Sequence, residues 1–202
     1  MGLYERYLAL RLGATEGDLP AHVALVITER DLLEQGAYRT LERFLDWAFE
    51  YGAERVTVYV SVLDEAVVET LERELARLSA PRSVAIRGPG DQKPATDPVQ
   101  VSLGLGGKHE FATAVRRIAR DVRAGDLSPD AIDEAEIEDR LVFPADPDLV
   151  IKTGEERLSD FMIWQSVYSE LYFTDVNWRD FREREYLRAL LEYARRERRF
   201  GE

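Results

Sequence analysis

The sequence predicts an α/β protein with a mostly parallel central sheet of about five or six strands covered by helices. Two observations carry this. Short, nearly continuous apolar runs recur along the chain, as in strands buried on both faces. Between them lie longer segments with apolar residues at helical spacing, and that alternation builds parallel sheets. The 202 residues, 45% of them hydrophobic, suit one sizeable core, so we expect a single domain over 1–202.

Each element has its own signal. "HVALVI" (22–27) reads as the first strand. "GAYRTLERFLDWAFEYG" (36–52) places Leu41, Phe44, Leu45, Ala48 and Phe49 on one helical face, with Gly52 as terminator. "RVTVYVSV" (55–62) is β-branched and predicts a second strand. A helix over 64–78 follows, with Asp64 as its N-cap, and then a short strand at 83–88. "VQVSLGLG" (99–106) is a fourth strand and 107–125 a helix ending at Gly125. Residues 128–142 hold one or two short helices capped by Ser128 and Asp133, and 148–153 is a fifth strand. Helix is expected from about 159 onward, broken near "FTDVNW", with a last helix over 178–198.

Composition excludes several function classes. The formal net charge is -12, which argues against nucleic-acid binding and against an electrostatic anchor on anionic lipid. Cysteine is absent and only His22 and His109 carry imidazoles, so thiolate chemistry and His-rich metal sites are excluded. No apolar run reaches the ~18 residues that a membrane span needs, and no signal peptide is visible, so a cytoplasmic protein is expected.

In such sheets ligands bind beyond the carboxyl ends of the strands. After the fifth strand comes "KTGEERLS", where Lys152, Arg157 and Ser159 can converge on an anion. The same stretch also reads as an exposed turn in which Glu155 and Glu156 pair with Lys152 and Arg157.

"PDLVIKTGEERLSDFMIWQSVYSELYFTDVNWRDF" resembles the signature block of the cis-prenyltransferases, the undecaprenyl and dehydrodolichyl diphosphate synthase family. "LPAHVALVI", "YGAERVTVYVSV", "VQVSLGLGGKHEFATAVRRIA" and the C-terminal "RRERRFG" resemble further family segments, so the likeness spans nearly the whole chain. It implies the cis-prenyltransferase fold. It also implies condensation of isopentenyl diphosphate onto an allylic prenyl diphosphate, with Mg²⁺, to give a polyprenyl diphosphate. By position, the isopentenyl diphosphate would be held by Lys152, Arg157 and Ser159. Glu170 matches a glutamate that assists the metal. Arg199 and Gly201 match an "RxG" tail that reaches into a dimer partner's site, although Arg199 also suits an ordinary basic helix end. Phe44, Leu45 and Trp47 would line a lipid tunnel or simply form core.

The departures from the family pattern are concentrated at one place. The family's first strand ends in "MDGNGRWA", whose Asp coordinates Mg²⁺. Here the strand ends "VITERDLLEQG", with Thr28 at the Asp position and no glycine before Gly36. Glu29 and Asp31 are the substitute carboxylates, one and three residues out of place. The family's "FSTENW" has become "VSVLDEA", and one residue is missing within the 152–159 segment. This pattern is similar to the Nogo-B-receptor type of accessory subunit, which pairs with a catalytic cis-prenyltransferase. Three readings follow: a non-catalytic subunit donating the "RxG" tail, an autonomous diverged synthase working as a dimer with itself, or a module that binds a prenyl diphosphate without turnover. Any membrane contact would be peripheral, through the lipid product.

Overall fold

A computed structural model describes residues 2–15, 17–154 and 160–196. At its centre are six strands: β1 (His22–Thr28), β2 (Arg55–Ser61), β3 (Val84–Arg87), β4 (Val99–Leu103), β5 (Leu149–Thr153) and β6 (Glu170–Thr174). They form one sheet in the order β3-β4-β2-β1-β5-β6, and every neighbouring pair is parallel. The helices are α1 (Leu3–Gly13), α2 (Glu29–Leu33), α3 (Ala37–Glu50), α4 (Val68–Leu75), α5 (Gly107–Ala124), α6 (Glu134–Glu138) and α7 (Glu183–Tyr193).

The expected apolar runs became the buried strands. Val23 to Ile27 in β1 are all buried because the sheet is covered on both faces. On one face α3 lays Leu41, Phe44, Leu45 and Ala48 against Val58 and Val60 of β2. Phe44 also meets Trp178, Phe181 and Tyr186 edge-on at centroid distances of 6.0, 5.9 and 5.4 Å, within the range where aromatic pairs add to plain burial. The opposite face carries Ala24, Val26 and Tyr59 against Phe143, Phe161 and Met162. Gly36 opens α3 at φ 86° and Gly125 closes α5 at φ 84°, left-handed conformations that a side chain resists.

Four expectations are corrected. The segment 160–168 is not helical, and 170–174 is the sixth strand. "ELYFT" pairs alongside β5, where Glu170 N donates to Asp148 O, so tertiary pairing overrides the local helical reading. The last helix is shorter than 178–198: a single 3₁₀ turn at Trp178–Asp180 precedes α7. The helix expected over 64–78 is a 3₁₀ turn, Glu65–Val67, followed by α4, with Asp64 accepting from Ala66 N. Asp133 caps α6 as expected, but the Ser128 side chain makes no capping bond. No described helix is long and apolar enough to cross a membrane.

Candidate functional site at the β1–β5 switch point

The strand order reverses direction between β1 and β5. From β1 the chain adds β2 and then the edge strand β3, inserts β4 between these two, and crosses over to add β5 and β6 on the other side. A crevice opens at the carboxyl ends of strands at such a point, and ligands of open α/β sheets bind there. Here those ends are Thr28 of β1 and Lys152–Thr153 of β5, in a register that sets Val26 beside Lys152. The fold therefore brings the altered loop and the start of the 152–159 segment to one place.

On the β1 side, Thr28 is the N-cap of α2. Its hydroxyl accepts from Asp31 N at 3.3 Å and donates to Asp31 Oδ2 at 2.7 Å. Thr28 N donates to the same carboxylate oxygen at 2.7 Å. This reciprocal pair is a capping box, and it satisfies helix-end donors that would otherwise lack partners. Glu29 is buried, and its Oε2 accepts from Leu63 N at 2.8 Å and Asp64 N at 3.1 Å. It thereby ties the loop after β2 to the end of β1. Each candidate carboxylate is already engaged by backbone donors.

On the β5 side, Lys152 is largely buried and its Nζ donates to Thr153 O at 2.6 Å. Thr153 Oγ1 is buried with no hydrogen-bond partner. Arg157, Ser159, Arg199 and Gly201 lie outside the described residues.

Asp160 follows directly on the segment, at φ 54°. Its carbonyl oxygen accepts from Gly107 N at 2.7 Å and from the Tyr59 hydroxyl at 3.1 Å. Its Oδ1 accepts from Lys108 N at 2.7 Å. An internal carboxylate thus sits on the amino end of α5, where backbone donors favour negative charge. Gly106 makes room for it, since a Cβ there would lie 2.1 Å from Asp160 Oδ2. Burial of Tyr59, with Asp160 and Glu110 nearby, pushes its hydroxyl up to about 12.

Glu170 stands elsewhere. It opens β6 beside Leu149, at the amino edge of the sheet. Four residues of strand, roughly 13 Å at the usual rise, separate it from the level of Thr174. There it pairs with Arg196 at 2.7 Å. Within one chain, the structure does not bring Glu170 to Thr28. Phe44 and Leu45 are fully buried core and Trp47 is packed against it.

Two arrangements escaped sequence reasoning. The Thr-x-x-Asp spacing of the capping box was readable at 28–31. The buried Glu110, accepting from Val142 N and Phe143 N at 2.8 Å and from Gln165 Nε2 at 3.2 Å, had no local signal. Burial raises the pKa of its carboxyl, against the lowering effect of those donors.

No three His, Asp or Glu side chains gather as a metal centre requires among the described residues. Among the described residues, the acids beside Thr28 are engaged as described and do not fit a Mg²⁺ site.

The family model described as putative undecaprenyl diphosphate synthase matches residues 90–201. The chain belongs to this prenyltransferase family. Relatives agree over nearly its full length. It is 34% identical, across 98% of itself and 90% of the relative, to the geranylgeranyl-diphosphate-specific tritrans,polycis-undecaprenyl-diphosphate synthase of Methanopyrus kandleri. Among solved structures it superposes on lavandulyl diphosphate synthase from Lavandula x intermedia, in complex with dimethylallyl diphosphate. The TM-score is 0.75 at 27% identity, over 91% of this chain and 99% of that one. A probable undecaprenyl diphosphate synthase from Campylobacter jejuni shares the fold, with a TM-score of 0.70 at 21% identity, over 92% and 100%. The alignment with the Methanopyrus synthase spans 247 positions against 202 residues here. At least 45 positions of that alignment therefore have no residue in this prenyltransferase-family chain.

Proposed function

We propose that the chain is the non-catalytic subunit of a cis-prenyltransferase that makes polyprenyl diphosphate from isopentenyl diphosphate and an allylic primer. A catalytic subunit supplies the acid loop and the Mg²⁺ site, and this chain donates its Arg199–Gly201 tail. The observation that carries the proposal is the state of the two acids after β1. Asp31 is closed into a capping box with Thr28, and Glu29 holds the amides of Leu63 and Asp64. These bonds hold each acid against its own loop, Asp31 against Thr28 and Glu29 against Leu63 and Asp64, rather than leaving it to turn toward a metal. Phe44, Leu45, Leu71 and Val58 are fully buried in one cluster on the α3–α4 face of the sheet.

The chemistry left to this chain is binding and orientation. Lys152 at the mouth of the crevice, with Arg157 and Ser159 after it, is the candidate grip for a diphosphate. The tail would work on the partner's substrate, which is why a subunit without an acid loop of its own keeps a use for it.

The test is incorporation of labelled isopentenyl diphosphate into a farnesyl or geranylgeranyl diphosphate primer, with Mg²⁺ and high salt. The purified chain alone should give no product. Addition of a family member that carries an intact "DGNGRW" loop should give product beyond what that member makes by itself. The second reading, an autonomous synthase, is favoured by the full-length likeness to the Methanopyrus enzyme. It requires long-chain product from the chain alone, abolished by Glu29→Ala or Asp31→Ala. Ligand binding with no rescue by any partner would leave a binding module.

A further inference from the structure

Among the described residues, the two non-glycine positions with left-handed backbone are Asp160 and Met162, at φ 54° and 25°. Strained backbone of this kind persists only where surrounding contacts fix it. Those of Asp160 lead to the amino end of α5. Its carbonyl accepts from Gly107 N and the Tyr59 hydroxyl, and its carboxylate accepts from Lys108 N. A Cβ on Gly107 would lie 2.8 Å from Ile163 N and 3.0 Å from Met162 N, so glycine lets the two chain segments pass this closely. From the other direction, Glu110 of α5 accepts from Gln165 Nε2 at 3.2 Å, and the same nitrogen donates to Phe143 O at 2.8 Å. Residues 160–165 are thus fastened at both ends to the first turn of α5.

The sheet register shows what this fastening faces. Tyr59, Val26 and Lys152 stand side by side on β2, β1 and β5, so Tyr59 and Lys152 share one face of the sheet, roughly 10 Å apart. Gly154, two residues after Lys152, is held on the outer side of β5, where its N–H donates to Thr174 O of β6 at 3.0 Å. Asp160 is held on the opposite side of β1, at Tyr59 of β2. The described ends of the segment are therefore fixed on either side of the strand that carries Thr28. Fixing the ends of a short binding segment in advance removes an ordering cost from ligand binding. The negative charge of Asp160 is offset by the amino end of α5, which lessens its repulsion of an anion in the crevice.

We infer that Asp160 is a positioning residue for diphosphate binding: its seat on α5 fixes the far end of the 152–159 segment, so that a diphosphate in the crevice meets a segment already anchored on both sides. Asp160 itself does not touch the diphosphate. The role rests on the reading of that segment as a diphosphate grip, and it is the same whether the chain is a subunit or an autonomous synthase.

The experiment is titration calorimetry of the full chain with isopentenyl diphosphate and, separately, inorganic pyrophosphate, in the presence of Mg²⁺. The parent should bind both, and Lys152→Ala should weaken both. Asp160→Gly keeps a left-handed backbone and removes only the carboxylate, and it should raise Kd by about tenfold. Asp160→Asn, whose amide oxygen still accepts from Lys108 N, should bring Kd back to within about twofold of the parent. Tyr59→Phe removes the hydroxyl that donates to the Asp160 carbonyl and should raise Kd severalfold. Circular dichroism and thermal melting establish that each variant is folded. A lowered melting temperature with Kd unchanged in folded Asp160→Gly would overturn the positioning role and leave the grip standing, provided that Lys152→Ala still weakens binding. Tighter binding by Asp160→Gly would also overturn it, because the carboxylate would then be an occupant of the α5 end that diphosphate displaces. A folded parent that binds neither probe would sink the grip itself, and the positioning role with it.

Discussion

The carboxylate of Asp31 is held by Thr28 through two hydrogen bonds of 2.7 Å, one from the backbone N–H and one from the hydroxyl. This contact turns the end of β1 from a loop that could reach into the crevice into the first turn of a helix. It sets the first expectation. Thr28→Ala should cost about 1 kcal/mol of folding stability, the usual loss when a helix cap is removed, and should leave the activity of a reconstituted complex nearly unchanged. Denaturant titration and the incorporation assay together check this. A large loss of activity without loss of stability would reinstate Thr28 as a site residue.

Glu29 separates the two main readings. If its carboxylate is a tie for Leu63 N and Asp64 N, Glu29→Ala strands two amides and destabilises the fold by about 2 kcal/mol. Complex activity per folded molecule should persist. If Glu29 is instead the working acid of an autonomous synthase, the substitution removes activity from a protein of near-normal stability.

Arg199→Ala should lower the activity of the complex by about tenfold or more, as expected when a charge-assisted contact to a diphosphate is lost. The melting temperature of this chain should not move. Equal turnover by parent and variant complexes would remove the tail from the site.

His22 gives a pH prediction. Its ring is buried between Asp146 O at 2.8 Å and the Thr57 hydroxyl at 2.8 Å, and burial, opposed by the bond to Asp146, lowers its pKa from 6.5 to about 4. The folded state therefore refuses a proton that the unfolded chain accepts. Stability is unaffected above the unfolded value. It falls as pH drops from about 6.5 to about 4 and levels off below, for a total of about 3 kcal/mol from this one group. Subtracting the pH profile of His22→Gln from that of the parent should isolate this slope. A flat difference would show that the ring is not held neutral.

Much of the sheet was legible because strands buried on both faces are mostly apolar, as Val23–Ile27 are throughout and Val56–Val60 are apart from Thr57. The turns at Gly52 and Gly125 were legible because their left-handed backbone demands glycine. The sixth strand was not. "ELYFT" is half-buried at every position, so it shows neither clean alternation nor a buried run, and only its pairing with β5 makes it a strand. At the crevice, the loss of the acid at position 28 was visible in the chain, but the use of its neighbours was not. Glu29 finds its partners some 35 residues on, in Leu63 and Asp64. Asp160 finds its own 52 residues back, at Lys108 N. No local pattern encodes contacts of that span.

The central place of β1 has a kinetic meaning. On one side it pairs with β2, the next strand along the chain. On the other it waits for β5, and the bond from His22 N to Asp148 that precedes this ladder joins residues 126 positions apart. Closing so long a loop is slow compared with local helix formation. A chain leaving the ribosome therefore exposes its most apolar strand as an open edge until β5, at residues 149–153 of 202, has been made. Open edges of this kind recruit other strands, so the interval between synthesis of β2 and of β5 is when this protein is most exposed to aggregation.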